Sequence, residues 1–297
     1  MSAQNTRIKT INKVTIVGSF VNLLLTAGKI CAGILGKSSA MVADGVHSLS
    51  DLVTDIVLIA FVRVSGKERD ENHKYGHGKY ETFATMLVSF ALMIVGIGIF
   101  WTGANKVIDS LHGAMIEQPS IIALYAATAS IISKEALFWY TKIVGKKIKS
   151  TAVIENAWHH RSDAFSSIGT ALGISGAIFL GEQWRILDPI AGIIVSLFIL
   201  KVAWKIAHPS VNELLETSLP KKTEQQIARI IMNHKGVKNF HNLRTRKIGN
   251  AIAADVHIKI DKNHSIESAH DIATDIEKSI RKKFGKESNI VIHTEPY

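Results

Sequence analysis

Two apolar stretches of membrane length each hold a histidine and an aspartate four residues apart. The first runs Ala43-Asp44-Gly45-Val46-His47-Ser48-Leu49-Ser50-Asp51, the second His159-His160-Arg161-Ser162-Asp163. On a helix, residues i and i+4 share a face, so His47 with Asp51 and His159 with Asp163 each present one imidazole and one carboxylate together. If the pairs face each other, they offer two nitrogens and two oxygens, a donor set that suits a tetrahedral divalent cation and whose two negative charges balance it. Ionisable groups inside a bilayer are costly and mark functional places. The chemistry implied is divalent metal binding at membrane depth.

Other polar residues in these stretches divide by spacing. Asp44 and Asp55 share the face of His47 and Asp51, as supporting or pathway groups. His160 points about 100° away from His159 around the helix and stays outside the set. Lys134 and its neighbour Glu135 sit at depth in another apolar stretch; they and Lys29 are expected to pair structurally with other helices. Outside the membrane, His73 and His77 lie four apart in a polar loop, and Asp70 completes a three-ligand set. Histidine is also dense near the end of the chain, at His234, His241, His257, His264, His270 and His293.

The elements that must carry these residues follow from periodicity. A bilayer core takes ~20 apolar residues per helix, and six segments meet that length, near 12–35, 40–64, 82–108, 119–141, 152–180 and 186–206. Gly36 and Gly181 mark turns, and Pro189 opens the last segment. Basic residues alternate between connections: Arg7, Lys9 and Lys13 precede the first segment, Arg63, Lys67, Arg69, Lys74 and Lys79 follow the second, Lys142, Lys146, Lys147 and Lys149 follow the fourth, and Lys201 and Lys205 end the sixth. By the positive-inside rule both termini are cytoplasmic.

After His208-Pro209 the pattern becomes that of a soluble domain. Thr223-Glu224-Gln225-Gln226 reads as a capping-box start, with Ile227, Ile230, Ile231 and His234 at helical spacing. Ile252, Ala254, Val256, Ile258 and Ile260 alternate with Asp255, His257 and Lys259, as in a strand with one buried face. Ser265 caps a second helix with a stripe of Ile266, Ala269, Ala273, Ile276 and Ile280. With strands near 241–247 and 289–293 the order is αββαβ, helices on one face of a sheet. The expected division is a six-helix membrane domain, 1–208, and a cytoplasmic α+β domain, 209–297.

Composition excludes several classes. The net charge of +10 falls where membrane topology puts it, and no basic stripe carries stacking aromatics, so nucleic acid is not a partner. Cys31 is the single cysteine. It rules out an intramolecular disulfide framework and a cysteine zinc site and reads as a small packing residue. The polar start of the chain lacks a signal-cleavage pattern, so the first segment is expected to remain as a span. No phosphate-binding Gly-rich loop and no His-Glu-x-x-His helix is present. Neither ATP-driven transport nor intramembrane metalloproteolysis fits, and four protein ligands leave no open position for a catalytic water.

The 43–51 run, the His-x-x-Ser-Asp run at 159–163 and the loop Asp70-Glu71-Asn72-His73-Lys74-Tyr75-Gly76-His77-Gly78-Lys79-Tyr80-Glu81 together resemble the cation diffusion facilitator family over nearly the whole chain. The resemblance implies a six-helix bundle with a ferredoxin-like, metallochaperone-like cytoplasmic domain, assembled as a homodimer. It implies a transport site between the second and fifth spans at His47, Asp51, His159 and Asp163, with a histidine at 47 associated with zinc. It matches Asp70, His73 and His77 to a second site of the bacterial branch and pairs Lys79 with Glu216. It also selects His241, His257, His270, His293 and Glu295 as a two-metal cytoplasmic cluster. His234 and His264 match nothing and read as solvated.

The function so implied is export of a divalent metal in exchange for protons, Zn²⁺ first, with Fe²⁺, Cd²⁺ and Co²⁺ open and Mn²⁺ disfavoured by two imidazoles. Imidazole binds metal when neutral and repels it when protonated, so His47 and His159 could carry both ligand and proton. The short loops, without a long His-rich segment, favour a bacterial inner membrane among lipid. A membrane metal sensor or partner subunit that does not transport is the alternative; such partners usually lack transport-site ligands, and here all four are present.

Overall fold

The computed structural model describes residues 3–65, 67, 70–148, 150–249 and 251–297, with side chains undescribed at 3–9, 55, 57–63 and 152. The expectations resting on Arg7, Lys9, Asp55, Arg63, Arg69 and Lys149 lie outside the described residues. In chain order the elements are α1 (Ala3–Leu35), α2 (Ser39–Ser65), α3 (Lys79–Leu111), α4 (Ile121–Lys147), α5 (Thr151–Phe179) and α6 (Leu187–Leu214). They continue with α7 (Lys221–Met232), β1 (Val237–Ile248), β2 (Ala251–Ile260), α8 (Ile266–Phe284) and β3 (Asn289–Pro296). The chain divides into two compact units, Met1–Ile56 with Val88–Trp204, and Val57–Leu87 with Lys205–Tyr297.

The first unit is helical and packed through small residues. Ala32, Ala40, Met41, Ala123, Ala127, Ile174 and Ala191 form one buried cluster across α1, α2, α4, α5 and α6. Small side chains let helix backbones approach where no water drives them together. Gly45 shows how closely: a Cβ there would stand 2.8 Å from Ile30 Cγ1 and 3.0 Å from the Ile30 amide nitrogen on α1. That approach brings Lys29 Nζ to 2.8 Å from Asp44 Oδ2. At the N-terminus of α2, just ahead of Asp44, buried Asp188 of α6 accepts from Ser38 Oγ at 2.5 Å and from the Ser39 amide at 2.7 Å. It thereby occupies the orphan donors of the α2 N-terminus, a role that sequence periodicity did not indicate.

Among the described residues four helical stretches are long and apolar enough to cross a membrane: Thr10–Leu35, Lys79–Leu111, Ile121–Lys147 and Glu182–Leu214. Of the six expected spans, α2 and α5 lie outside this set; they carry the histidine–aspartate pairs, and α2 also holds residues 57–63, whose side chains are not described. Two details differ from expectation. Cys31 is exposed on its helix rather than packed. The sixth helix does not stop near 206 but continues through Pro209 to Leu214, since proline removes one amide donor and a helix can survive one missing bond.

The second unit holds a three-stranded sheet in the order β1-β2-β3, with β1–β2 antiparallel and β2–β3 parallel. The expected αββαβ order forms. Ile227, Ile231, Ile252, Val256, Ile258, Ile276 and Ile280 lie in its core, while Asp255, His257 and Lys259 take the half-buried face. Two local expectations are corrected. α7 begins at Lys221 behind Pro220 with no side-chain cap, so Thr223 lies inside the first turn, its amide bonded to the Pro220 carbonyl at 2.7 Å, and is not the cap. Ile266 is 91% exposed and Ile272 takes its place in the core. Ser265 caps α8 through the Ser268 amide as expected.

Candidate metal centres

In the first unit, donor atoms of His47 and Asp51 on α2 and of Asp163 on α5 lie within 4.8 Å of one another. His47 Nδ1 is buried without a hydrogen-bond partner, a nitrogen left available to a ligand. A cavity of about 460 Å³ lined by His47, Ser162, Phe165, Ser166, Ile194 and Phe198 reaches this group between α2, α5 and α6. His159 stands at its edge: its side chain is 54% exposed and its Nε2 is 4.0 Å from Asp163 Oδ1. Three of the four expected ligands are therefore together and the fourth is adjacent. His160 is buried beside them, with neither ring nitrogen hydrogen-bonded.

The other buried charges near this group are partnered. Lys29 Nζ, besides Asp44, donates to Ser48 Oγ at 3.1 Å and Ser167 Oγ at 2.9 Å. Lys134 Nζ donates to Asp163 Oδ2 at 2.6 Å. Sequence reasoning assigned Lys134 a structural partner on another helix and did not find that the partner is a ligand carboxylate. The signal was the cost of a lone ammonium at depth, which demands a nearby anion.

In the second unit, the loop before α3 gathers Asp70, His73 and His77 within the same 4.8 Å limit. Asp70 Oδ1 accepts the His73 amide at 2.7 Å and the Asn72 amide at 3.0 Å. Its Oδ2 lies 3.2 Å from His77 Nε2. The His73 amide, then its ring, hold the Asp70 carboxyl below the usual aspartate range. Tyr80 Oη stands 3.1 Å from His73 Nε2. The loop is seated by Gly78, where a Cβ would come within 3.1 Å of the Ile248 carbonyl oxygen. Lys79 and Glu216 pair at 2.9 Å as expected.

The sheet supplies the third group. His241, His257 and His293 occupy one register row across β1, β2 and β3. Glu295 receives His257 Nδ1 at 2.7 Å and His241 Nε2 at 2.8 Å. Those bonds, from His257 first and then His241, push its carboxyl down to about 2. His241, His257 and Glu295 form the three-donor group. The His293 ring lies 4.8 Å from that of His257, while His270 is exposed on α8 and is not brought to the group. The strand alternation made His257 legible, but pairing across strands was not.

Residues 15–215 match the cation efflux transmembrane domain, and 219–297 match the cation efflux protein cytoplasmic domain. The chain is 36% identical over 296 residues to metal tolerance protein C1 of Arabidopsis thaliana, covering 96% of this chain and 62% of that protein. It is 33% identical over 289 residues to the manganese efflux system protein MneP of Bacillus subtilis, covering 96% of each. It is 31% identical over 280 residues to MneS of the same organism, covering 92% of this chain and 91% of that one. The chain thus belongs to the cation diffusion facilitator family, integral membrane transporters for the efflux of divalent metal cations rather than enzymes.

Proposed function

We propose that this protein exports a divalent metal from the cytoplasm in exchange for protons, by alternating access at His47, Asp51, His159 and Asp163. The observation that carries the reading is the convergence of His47, Asp51 and Asp163 from two helices to within 4.8 Å of one another. Asp51 and Asp163 supply anionic oxygens. The imidazoles supply nitrogens whose lone pair takes either a metal or a proton, so loading one releases the other. Rocking of the helices that carry the site exposes it to each side in turn.

In this reading residues 1–208 form a six-span transport domain with both termini cytoplasmic, in a bacterial inner membrane. Residues 209–297 form the cytoplasmic domain through which a homodimer assembles. The groups at Asp70, His73 and His77, and at His241, His257, His293 and Glu295, bind metal to adjust transport rather than to carry it. Such regulation requires that the metal bind two conformations of the protein with different affinity. Zn²⁺ is the cargo that a two-imidazole, two-carboxylate set fits best. Mn²⁺ is the second reading. The manganese efflux relatives favour it, as does the converged group of one imidazole and two carboxylates, since oxygen donors suit that ion.

The test is uptake of Zn²⁺ and of Mn²⁺ into proteoliposomes under an imposed pH gradient. Uptake that stops when the gradient is collapsed supports exchange, and the faster ion is the cargo. Metal binding with no flux in folded protein would replace the transporter by a membrane sensor or partner subunit.

A further inference from the structure

Among the described residues two lysines are buried in the first unit, and they differ in what holds them. Lys29 is 2% exposed and has three oxygen partners, Asp44, Ser48 and Ser167. Asp44 is not among the converged donors. Lys29 is thus a satisfied crosslink between α1, α2 and α5. Lys134 is 3% exposed, and among the described residues its one recorded hydrogen-bond partner is Asp163 Oδ2 at 2.6 Å. The neighbouring Glu135 does not share it, being engaged by Trp139 Nε1 at 3.0 Å and Arg161 at 3.4 Å. A buried ammonium hydrogen-bonded to a single carboxylate depends chiefly on that carboxylate, in surroundings where charge interactions are strong.

Asp163 is also a donor of the metal group. An incoming divalent cation and the Lys134 ammonium therefore seek the same carboxylate. We propose that Lys134 is an internal counter-cation of the transport site, a positioning residue that occupies Asp163 when metal is absent and competes with metal for it. The inference rests on the transport reading above and adds to it what sets affinity and release. Two carboxylates and one ammonium leave the empty site with a single net negative charge instead of two, which lowers the cost of reorienting an empty site within the membrane. Competition from the ammonium weakens metal binding and speeds metal release. Without Lys134, the site would hold its cargo more tightly and turn over more slowly.

The test uses the full-length protein in proteoliposomes, with Zn²⁺ and Mn²⁺ as probes and KM and maximal rate measured separately. Lys134→Gln removes the charge, and KM is expected to fall about tenfold, within the usual range for coupled ligands, with a lower maximal rate. Lys134→Arg keeps the charge and offers a planar fork that grips a carboxylate in two places, so KM is expected to rise. A lysine that only joined α4 to α5 would give the opposite pattern: Arg would behave as wild type, and Gln would raise KM or lose folded protein. If Lys134→Gln does not reconstitute, the arginine variant decides: a raised KM supports the competitor and an unchanged KM overturns it. Wild-type flux with KM unchanged or raised in Lys134→Gln overturns this inference alone. Absence of wild-type flux overturns the transport reading and this inference with it.

Discussion

The converged group in the helical unit and the one on the sheet use the same two side-chain chemistries in opposite settings. Asp163 is buried and faces a buried ammonium. Glu295 is reached by solvent and is bonded to the two imidazoles that share its group. In the sheet the carboxylate and two of the histidines satisfy one another in one hydrogen-bonded unit. Among the helices the carboxylate is satisfied by a cation from outside the donor set, and His47 Nδ1 is left without a partner. The two groups share donor types and differ in burial and in the partner that each carboxylate holds. In the proposed reading that difference separates the group that passes the ion from the one that senses it.

The contrast is broken most sharply by removing one carboxylate from each group. Asp163→Ala is expected to lower metal flux by about a hundredfold or more, since even changes behind a metal ligand cost up to that much. Flux measured in proteoliposomes checks this. Glu295→Ala is expected to weaken metal binding to the sheet group by about tenfold while flux changes less than about fivefold, measured by calorimetry and flux on the same preparation. Equal losses from the two substitutions would erase the distinction between the groups.

How much of this was legible in the sequence varied with the kind of signal. The β2 strand was readable because Ile252 to Ile260 alternate without a break, and the α8 cap because Ser265 precedes an amphipathic run. The capping box at Thr223 misled, since the helix already starts at Lys221 behind Pro220, which places Thr223 within the first turn, and a residue inside the turn cannot act as its cap. The pairs His47–Asp51 and His159–Asp163 were found from helical spacing, but the outward position of His159 and the hold of Lys134 on Asp163 depend on how α4 and α5 pack. Asp188 was passed over because a carboxylate next to a proline at a helix start looks ordinary. Its role appears only with the end of α2 beside it.

Two further substitutions sharpen the role of burial inside the second unit. Glu213 is 8% exposed and accepts from Thr82 Oγ1 and the Gly249 amide, each at 2.7 Å. Glu213→Ala strands those donors and is expected to cost about 2 kcal/mol of stability, read as a lower denaturation midpoint of the full chain. Glu216, by contrast, pairs with Lys79 at 2.9 Å in an exposed setting. Glu216→Gln is expected to cost no more than about 1 kcal/mol in the same measurement.

The smallest expected effect is one of pH. Glu295 has its carboxyl held at about 2, below the ordinary glutamate value of 4.5. A lowered folded value means its stabilising contribution is complete above the ordinary value and is lost as pH falls through the folded one. Between pH 5 and pH 2 the protection of β3 amides against hydrogen exchange should fall more in the wild type than in Glu295→Gln. Parallel falls in both proteins would show that the bonds from His257 and His241 do not stabilise the sheet.

The most direct measurement pairs flux with cytoplasmic metal binding in one proteoliposome preparation of Asp163→Ala. If the buried group passes the ion and the sheet group only senses it, flux disappears while metal still binds at His241, His257 and Glu295. Flux that persists in Asp163→Ala at the wild-type rate would contradict this and place the route of the ion elsewhere in the protein.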